Sequence, residues 1–499
     1  MTSDLWSPIM GHKPQALTSL FDADPGRLER LSLTLGGMYF DWSKTVLDEA
    51  LLRTFEALAE AQGFAAKREA LFTGAVVNPS EGRSAGHLAE RGSGTAPDND
   101  LAAHSHQRMR ALVDAIEAGA FGDVTGVLHI GIGGSALGPD LVIDALGRDG
   151  ARYDVRILSN IDGQAFEDSI EGLDPQTTLI AAVSKTFTTT ETLTNLAAAL
   201  SWLEDHGVED PFGRVIAITA APQSALDYGI DQTRVLPFAE AVGGRYSLWS
   251  TVGFSIALAL GWPAFEELLE GAAEIDRHFR FSEPRANAPL MAAFADLAAT
   301  QLLGCQTRGV FAYDERLRLL PSYLQQLEME SNGKSVTAEG SPVGRQTAPV
   351  TWGGVGTDAQ HAVFQLLHQG TVVVPVEFIA CIEQENGQDD THHRQLLLNA
   401  FAQGAALMTG RASDDCARAY PGNRPSTTIL IDRLDARTLG ALLAFYEQRT
   451  FANAVLLGIN PFDQFGVELG KQMAQAIDDP GERAKFDPST RALIERAGL

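Results

Sequence analysis

Short apolar runs alternate with longer amphipathic stretches over most of the chain beyond residue 120. The runs are rich in valine, isoleucine and threonine and are bounded by glycine, proline or polar residues, a pattern typical of buried β-strands. They are GVLHI at 126–130, TTLIAAV at 177–183, RVIAIT at 214–219, RGVFAY at 308–313, GTVVVPVEFI at 370–379 and STTILIDRL at 426–434. Because helical stretches separate these runs, we expect an α/β fold with parallel-type central sheets covered by helices on both faces.

The first 105 residues differ, since helical patterns such as LDEALLRTFEALAEAQG at 47–63 dominate them. A chain of 499 residues exceeds what one hydrophobic core usually serves, and the polar segment at 280–289 offers a border between two cores. We therefore expect an N-terminal helical segment over 1–105 that packs on two α/β domains. The first and smaller domain covers 106–285 and the second and larger one covers 286–499.

Composition and charge narrow the classes of function. The net charge of −26 disfavours nucleic acid as a partner, because lysine and arginine supply most of the affinity for its phosphates. The amino terminus has neither the basic start nor the apolar core of a signal peptide, so we expect a cytoplasmic protein. The longest apolar stretch, at 248–262, is too short to span a bilayer and favours a buried helix, with no membrane partner. No cysteine or histidine stands at the spacing of a metal site, so we expect no metal.

The first candidate motif is GIGGSA at 131–136, which follows a strand and includes Gly134 and Ser135. Its glycines would let a ligand approach the backbone where a helix begins. The motif also fits a loose dinucleotide fingerprint, but the acidic residue Asp162 comes later than that fingerprint requires. A tight turn between strand and helix is the plain structural alternative.

The second motif is SKTFTTTE at 184–191, placed between a strand and a helix. Hydroxyls and backbone N–H groups at a helix amino terminus form a site for a phosphate dianion, and Lys185 adds a positive charge. The spacing of a nucleotide-binding P-loop is missing, which favours a sugar phosphate over a nucleoside triphosphate. A threonine-rich helix cap would explain one or two of the hydroxyls.

Two further segments supply a cation and a carboxylate. Arg245 follows two glycines and could stabilise a developing oxyanion, although most loop arginines are solvated. The stretch 317–334 predicts a helix whose apolar stripe continues onto Glu330, with Gln326 one turn behind and Glu328 pointing elsewhere. A carboxylate directed inward is suited to general base catalysis, whereas a partly exposed glutamate at a helix end is the common case.

The segment GTDAQHAVFQLLHQG at 356–370 predicts a helix with Thr357 and Gln360 as a capping box. His361 would lie in its first turn, where the positive helix end disfavours a protonated ring. Near the carboxyl end, Lys471 follows Gln464 and either reaches a cleft or pairs with Glu468 on a solvated face. The sequence leaves these two readings open.

These blocks, in this order, resemble the glucose-6-phosphate isomerase family. The matching segments are GIGGS at 131–135, SKTFTTTET at 184–192, GGRYSLWS at 243–250, QQLEMESNGK at 325–334, GTDAQHAVFQLLHQG at 356–370, GNRPS at 422–426 and FDQFGVELGK at 462–471. Two further segments are less similar to the family, DWSK at 41–44 and NPSEGR at 78–83. Departures are Phe465, where the family usually has tryptophan, Asp358, where asparagine is common, and a divergent stretch at 78–92.

The resemblance implies two three-layer α/β/α sugar-isomerase (SIS) domains, a C-terminal extension that crosses to a partner, and a homodimer with shared active sites. It implies an aldose-ketose isomerase that interconverts D-glucose 6-phosphate and D-fructose 6-phosphate through an enediol, without a cofactor. The implied phosphate ligands are Ser184, Thr186 and Thr189, aided by Lys185 and Ser135 in the loop that includes Gly134.

The resemblance also implies the catalytic roles. Glu330 would carry the proton between C2 and C1 while Arg245 stabilises the enediolate. His361 of the neighbouring subunit, oriented by Glu191, would open the sugar ring with help from Lys471. The residues expected to fix sugar hydroxyls are Gln326 and Gln464.

Two other classes of function stay open from the sequence. A non-catalytic sugar-phosphate sensor could use the same fold, but such a protein has no need of a proton carrier, so Glu330 and His361 favour an enzyme. A nicotinamide-dependent dehydrogenase rests only on the glycine motif at 131–136 and would require a bound cofactor.

Overall fold

The computed structural model describes residues 5–148, 150–384 and 389–499. The chain divides into a large unit that ends at Pro461 and a small unit over Phe462–Leu499.

All strands in the described ranges belong to the large unit and form two sheets. In chain order they are β1 Ser32–Leu35, β2 Met38–Asp41, β3 Gly126–Ile130, β4 Asp154–Leu158, β5 Thr178–Val183, β6 Val215–Thr219, β7 Val235–Pro237, β8 Thr307–Tyr313, β9 Val350–Val355, β10 Val376–Cys381 and β11 Ser426–Ile431. The first sheet has the order β4-β3-β5-β6-β7 and is parallel throughout. The second has the order β1-β2-β11-β10-β8-β9, and its last four strands are parallel. The predicted α/β class with parallel-type sheets is confirmed.

The amino-terminal segment, predicted to be helical, also contains the hairpin β1–β2. Its two-residue turn is Gly36–Gly37, with φ of 59° and 72°, a conformation that favours glycine at both positions. Strand β2 pairs antiparallel with β11, with Phe40 opposite Ile429, so the hairpin extends the second sheet. Four-residue strands are too short to show a clear alternation, which is why the hydrophobic pattern did not reveal them.

Helices cover the sheets of the large unit. They are α1 Ser7–Met10, α2 Leu17–Ala23, α3 Arg27–Arg30, α4 Glu49–Ala61, α5 Phe64–Phe72, α6 Ala96–Glu117, α7 Leu137–Leu146, α8 Gly163–Ile170, α9 Thr190–Asp205, α10 Pro222–Tyr228, α11 Phe254–Leu260, α12 Trp262–Phe281, α13 Ala288–Leu297, α14 Leu320–Leu324, α15 Gly356–Gln369, α16 Asp390–Thr409 and α17 Ala436–Leu457. Within the described ranges, no helix is both long and apolar enough to cross a bilayer.

Helix α17 is buried along nearly its whole length and packs against α12 and α13. It begins with a capping box. The Asp435 carboxylate accepts a hydrogen bond from the backbone N–H of Thr438, and the Thr438 hydroxyl accepts one from the backbone N–H of Asp435. The stretch 248–262, predicted to be one buried helix, is buried but less regular. It comprises the end of a 3-10 segment at Gly244–Trp249, a second 3-10 turn at Thr251–Gly253, and α11.

The small unit contains α18 Glu468–Asp478, α19 Pro480–Arg483 and α20 Pro488–Ala497, preceded by a 3-10 turn. Several of its large apolar side chains are exposed, among them Phe465 at 51%, Leu469 at 59% and Met473 at 45%.

Candidate functional site

Three loops of the large unit meet at residues 240–245, the segment that leads into Arg245. The backbone N–H of Gly86 donates to the carbonyl of Ala241 at 2.9 Å. The Lys185 ammonium donates to the carbonyl of Val242 at 3.0 Å. Gly134 lies against the backbone of Gly244 and Arg245, so closely that a Cβ on Gly134 would be 2.2 Å from the carbonyl oxygen of Gly244. The segment therefore joins the glycine motif, the threonine motif and the amino-terminal loop in one place.

The glycine motif follows β3 and forms a 3-10 turn at Gly133–Ser135 before α7 begins. The side chain of Gln326 lies beside it, since a Cβ on Gly133 would be 2.9 Å from Nε2 of Gln326. The two elements predicted to hold one substrate, the glycine loop and the helix with Gln326, are thus neighbours.

His129, in the middle of β3, is a residue that the sequence analysis missed. It is fully buried, and its Nε2 lies 2.8 Å from the carbonyl oxygen of Ser135. A carbonyl can only accept, so Nε2 carries the proton and Nδ1 accepts from the Ser255 hydroxyl at 2.8 Å. Burial lowers the pKa of His129 to about 4, which keeps the ring neutral in this role. The sequence feature that could have revealed His129 is a single histidine inside the apolar run GVLHI.

The threonine motif follows β5 and leads into α9, which begins at Thr190. The Ser184 hydroxyl accepts from the backbone N–H of Phe187 at 3.1 Å and lies 3.0 Å from the Thr189 hydroxyl. Phe187 has a φ of 53° and a buried ring, which anchors the turn. Thr186 is exposed and accepts from the Thr188 hydroxyl at 2.8 Å. Hydroxyls therefore cluster at the positive amino end of a helix, as an anion site requires.

Lys185 projects from the same motif into charged surroundings. Burial lowers the pKa of Lys185 to about 8, and nearby Arg83 adds to this, while Glu81 and Glu240 oppose it. Arg83 forms ion pairs with both Glu81 and Glu240. The divergent stretch at 78–92 therefore contributes charged groups, Glu81 and Arg83, beside the phosphate candidate.

Arg245 and Glu330 form the central ion pair of the site. Nη1 of Arg245 donates to Oε1 of Glu330 at 3.1 Å, and Nε donates to the Ser331 hydroxyl at 2.7 Å. The Arg245 side chain is 1% exposed and the Glu330 side chain 22% exposed. Nη2 donates to the backbone carbonyl of Pro461. A buried, fixed cation thus lies against a carboxylate that solvent and ligand can still reach.

The helix that carries Glu330 is not the regular α-helix predicted over 317–334. α14 ends at Leu324, and Gln325–Glu330 forms a π-helix. The wider turn of a π-helix changes the direction of every residue after it, and such turns are common at functional sites.

Glu328, expected to point elsewhere than Glu330, is directed into a buried cluster of charged groups. Glu328 is 6% exposed, with its carboxylate bonded to Arg308 and Arg449 and to the Thr351 hydroxyl. Burial alone would raise the pKa of Glu328, but the two arginines outweigh it and bring the pKa to about 2. Glu328 is therefore a permanently charged structural group, unlike the accessible Glu330.

His361 lies in the second turn of α15, and the predicted capping box is wrong. The N-cap is Val355, which has no side-chain acceptor, and the Gln360 amide instead accepts from the Tyr313 hydroxyl at 2.6 Å. Apolar β9 runs straight into the helix, so the N-cap lies two residues before the predicted Thr357. His361 is exposed, and no hydrogen bond or ion pair joins its ring to Glu191 or to any other described residue of this chain.

The remaining predicted residues lie in the small unit. Lys471 is exposed on α18 and, among the described residues, has no ion pair with Glu468. Gln464 immediately precedes the 3-10 turn Phe465–Val467. The large unit alone thus groups Gly134, Ser135, Ser184, Lys185, Thr186, Thr189, Arg245, Gln326 and Glu330 in the loops and the helix described above.

Comparisons with known proteins identify the family of this chain. Residues 41–494 match the model of the family described as phosphoglucose isomerase. The chain is 64% identical over 493 residues to a glucose-6-phosphate isomerase of Rhizorhabdus wittichii, covering 99% of this chain and 98% of that one. It is 58% identical over 492 residues to a glucose-6-phosphate isomerase of Zymomonas mobilis, covering 99% and 97%.

A solved structure gives the same result at the level of the fold. The crystal structure of a glucose-6-phosphate isomerase from Chlamydia trachomatis superimposes with a TM-score of 0.91 at 31% identity, covering 100% of this chain and 99% of that one. Both the sequence and the three-dimensional match extend over essentially the whole chain, so this protein belongs to the phosphoglucose isomerase family.

Proposed function

We infer that this chain is a glucose-6-phosphate isomerase, an aldose-ketose isomerase that interconverts D-glucose 6-phosphate and D-fructose 6-phosphate. The observation that carries this conclusion is the whole-length match to isomerases of that name, on a chain that retains a buried arginine against an accessible carboxylate. Proton transfer between neighbouring carbons needs such a pair: a base for the carbon-bound proton and a cation for the enediolate.

The substrate's phosphate is assigned to the threonine motif. Ser184, Thr186 and Thr189 offer hydroxyls at the amino end of α9, and Lys185 supplies a cation from the same turn. Ser135 and Gly134 of the glycine motif are assigned to the same phosphate. Gln326, whose side chain lies beside Gly133, is assigned to a sugar hydroxyl.

We assign the proton transfer between C2 and C1 to Glu330 and the stabilisation of the enediolate to Arg245. Arg245 is fixed by Ser331 and Pro461 before any substrate arrives, so it pays no cost of reorganisation when negative charge develops on the sugar oxygen. Glu330 lies within hydrogen-bond distance of that guanidinium and remains partly exposed.

We propose that the active protein is a cytoplasmic homodimer with shared active sites. His361 is exposed on α15 and unbonded to the described residues of its own chain, as expected of a group that serves the partner's site. The exposed apolar side chains of α18 fit an extension that packs on the partner. In this arrangement His361, held by Glu191, opens the sugar ring together with Lys471, and Gln464 fixes a hydroxyl.

We also propose the domain division at 106–285 and 286–499. Every strand of the first sheet falls within the former range, and β8 to β11 of the second sheet fall within the latter. The segment 1–105 then serves as an appendage whose hairpin joins the second sheet.

The direct test is a coupled assay with fructose 6-phosphate, run with and without a chelator. Production of glucose 6-phosphate at the same rate in both is expected from acid-base chemistry without a metal. A protein that binds the sugar phosphate but shows no turnover would instead be a sensor, and the proposed function would be wrong.

Removing single hydroxyls from the phosphate site should weaken binding more than turnover. In Ser184→Ala and Thr186→Ala each lost hydrogen bond to a charged group costs about 1.5–3 kcal/mol, which corresponds to a rise of about 10- to 150-fold in KM. The phosphate is held alike in ground and transition states, so kcat should change little. Thr54→Ala, on the exposed face of α4, is the matched control. Normal KM with reduced kcat would contradict the phosphate assignment.

The low pKa of Lys185 predicts how substrate binding depends on pH. The ammonium that faces the phosphate is lost as pH rises through about 8, so KM should rise between pH 7.5 and 9.5. Because the pKa of Lys185 in the folded protein lies below the ordinary value of lysine, the charged ammonium is less favourable in the folded state than in the unfolded state. At neutral pH this lowers the stability of the folded protein. Lys185→Met should therefore raise KM and yet stabilise the free protein at pH 7.

Steady-state kinetics and chemical denaturation check this prediction. Lys185→Arg, whose charge persists through this range, should abolish the rise in KM above pH 8. Lys13→Met, at an exposed position, controls for the removal of a lysine charge. An unchanged KM in Lys185→Met would remove Lys185 from the phosphate site.

A further inference from the structure

Trp249 ends the 3-10 segment Gly244–Trp249, which carries Arg245, and its indole is fully buried. Three contacts hold this residue, two through the ring and one through the backbone. Its Nε1–H donates to Oε1 of Glu447 at 2.7 Å. The guanidinium of Arg91 lies over the ring face, with Cζ 4.7 Å from the ring centre. Nε2 of His106 lies 2.9 Å from the backbone carbonyl oxygen of Trp249.

Glu447, which accepts the hydrogen bond from the Trp249 indole, is itself fixed. Arg91 donates through Nη1 to Glu447 and through Nε and Nη2 to the two oxygens of Asp276, the latter at 2.8 Å each. Gln448 also donates to Asp276, at 2.7 Å. The side chains of Arg91, Asp276 and Glu447 have no exposed surface. Since a buried charge without its partner is costly, this cluster resists rearrangement.

The cluster joins three distant parts of the chain to the active site. Arg91 ends the 3-10 helix Gly86–Arg91, Asp276 lies on α12, and Glu447 lies on α17. In the described part of the chain, no hydrogen bond or ion pair joins these groups to Glu330. Glu447 and Arg91 contact Trp249, at one end of the short segment that carries Arg245 near its other end, and Asp276 acts through Arg91.

We propose that Trp249, anchored by Glu447 and Arg91, is a positioning residue for Arg245. The proposal rests on the role assigned above to Arg245 in stabilising the enediolate. A 3-10 segment of six residues has little freedom to absorb a shift at one end, so loosening Trp249 displaces the guanidinium relative to Glu330. The hydroxyls of Ser184 and Thr186 lie outside this segment and keep their geometry.

The consequence is a loss confined to the chemical step. Misplacement of a catalytic group by about 1 Å costs up to about 10²-fold in rate, so Trp249→Phe should lower kcat by about 10- to 100-fold with KM nearly unchanged. Trp249→Phe removes the N–H that Glu447 accepts and keeps an aromatic ring under Arg91.

Trp262 provides a matched control. It is also buried, and its indole nitrogen has no hydrogen-bond partner among the described residues. Trp262→Phe therefore makes the same chemical change without breaking a bond, and we expect it to keep the wild-type kcat.

The experiment compares these variants in turnover and in the binding of two inhibitors. The first inhibitor is a phosphorylated hydroxamic acid, whose planar anionic group resembles an enediolate, and the second is inorganic phosphate. Trp249→Phe should bind the hydroxamate about 10- to 100-fold more weakly and inorganic phosphate as well as the wild type does. Denaturant unfolding, measured in parallel, verifies that the variants are folded under assay conditions.

Several outcomes overturn the proposal. One is a kcat in Trp249→Phe within twofold of the Trp262→Phe value. Another is an equal loss of affinity for both inhibitors, which would show general disorder of the site. If Trp249→Phe does not fold, the same measurements are made on Glu447→Gln. A normal kcat in Glu447→Gln would overturn the proposal. Failure of the underlying function is distinguishable, because then the wild type itself would show no turnover or Arg245→Ala would remain active.

Discussion

Glu330→Gln is expected to bind sugar phosphate normally and to lose about 10²- to 10⁴-fold in kcat, the range attributed to general acid-base catalysis. The amide keeps the shape of the carboxylate and a hydrogen-bond acceptor for Arg245, but it cannot remove a proton from carbon. A proton on carbon is weakly acidic, so its base must be close and supported by positive charge on the developing enediolate.

Exchange with deuterated water measures this step directly. The wild type should incorporate deuterium at C1 or C2 of the substrate, and Glu330→Gln should not. Glu328→Gln is an informative contrast, because Glu328 is bound to two buried arginines and its loss should reduce stability by about 3–5 kcal/mol without removing the base. Deuterium incorporation by Glu330→Gln at nearly the wild-type rate would exclude Glu330 as the base.

Mixing two inactive variants should restore activity if each site takes groups from both chains. Glu330→Gln and His361→Ala are each expected to be inactive on the cyclic substrate, for different reasons. In their mixed dimer one site contains both intact groups and the other contains neither. Random mixing of equal amounts makes about half of the dimers mixed, so about a quarter of the wild-type activity should return.

Two controls distinguish shared active sites from sites built by one chain. A chain with both substitutions, mixed with Glu330→Gln, contributes no site that holds both groups and should restore nothing. His361→Ala alone should also keep much more activity on an aldose phosphate too short to cyclise, since such a substrate needs no ring opening. If the Glu330→Gln and His361→Ala mixture stays inactive after subunit exchange is verified, each site draws both residues from one chain.

The strands that carry the site were predictable because burial on both faces makes a parallel strand a continuous apolar run. GVLHI and TTLIAAV appear as β3 and β5 with nearly the predicted bounds, and the motifs that follow them open toward α7 and α9. The ion pair of Arg245 with Glu330 also joins two residues that the sequence had singled out separately.

Other features depend on contacts that a hydrophobic pattern does not report. The apolar stripe over 317–334 correctly indicated burial of Leu327, but it assumed 3.6 residues per turn and missed the π-helix that also buries Glu328. The burial of Glu328 depends on Arg308 and Arg449, which are distant in sequence. Likewise, the hydrogen bond of His129 to Ser135 requires the loop to fold back onto its own strand.

The pairing of Phe40 with Ile429 also bears on how the chain is made. The amino-terminal hairpin leaves the ribosome early, whereas its partner strand β11 is synthesised almost a whole chain later. At about 5–20 residues per second that delay amounts to roughly 20–80 s. Throughout this interval the edge of β2 that later pairs with β11 has unpaired backbone groups, and an open strand edge favours pairing with other chains. The nascent protein should therefore depend on chaperones that cover this edge until synthesis is nearly complete.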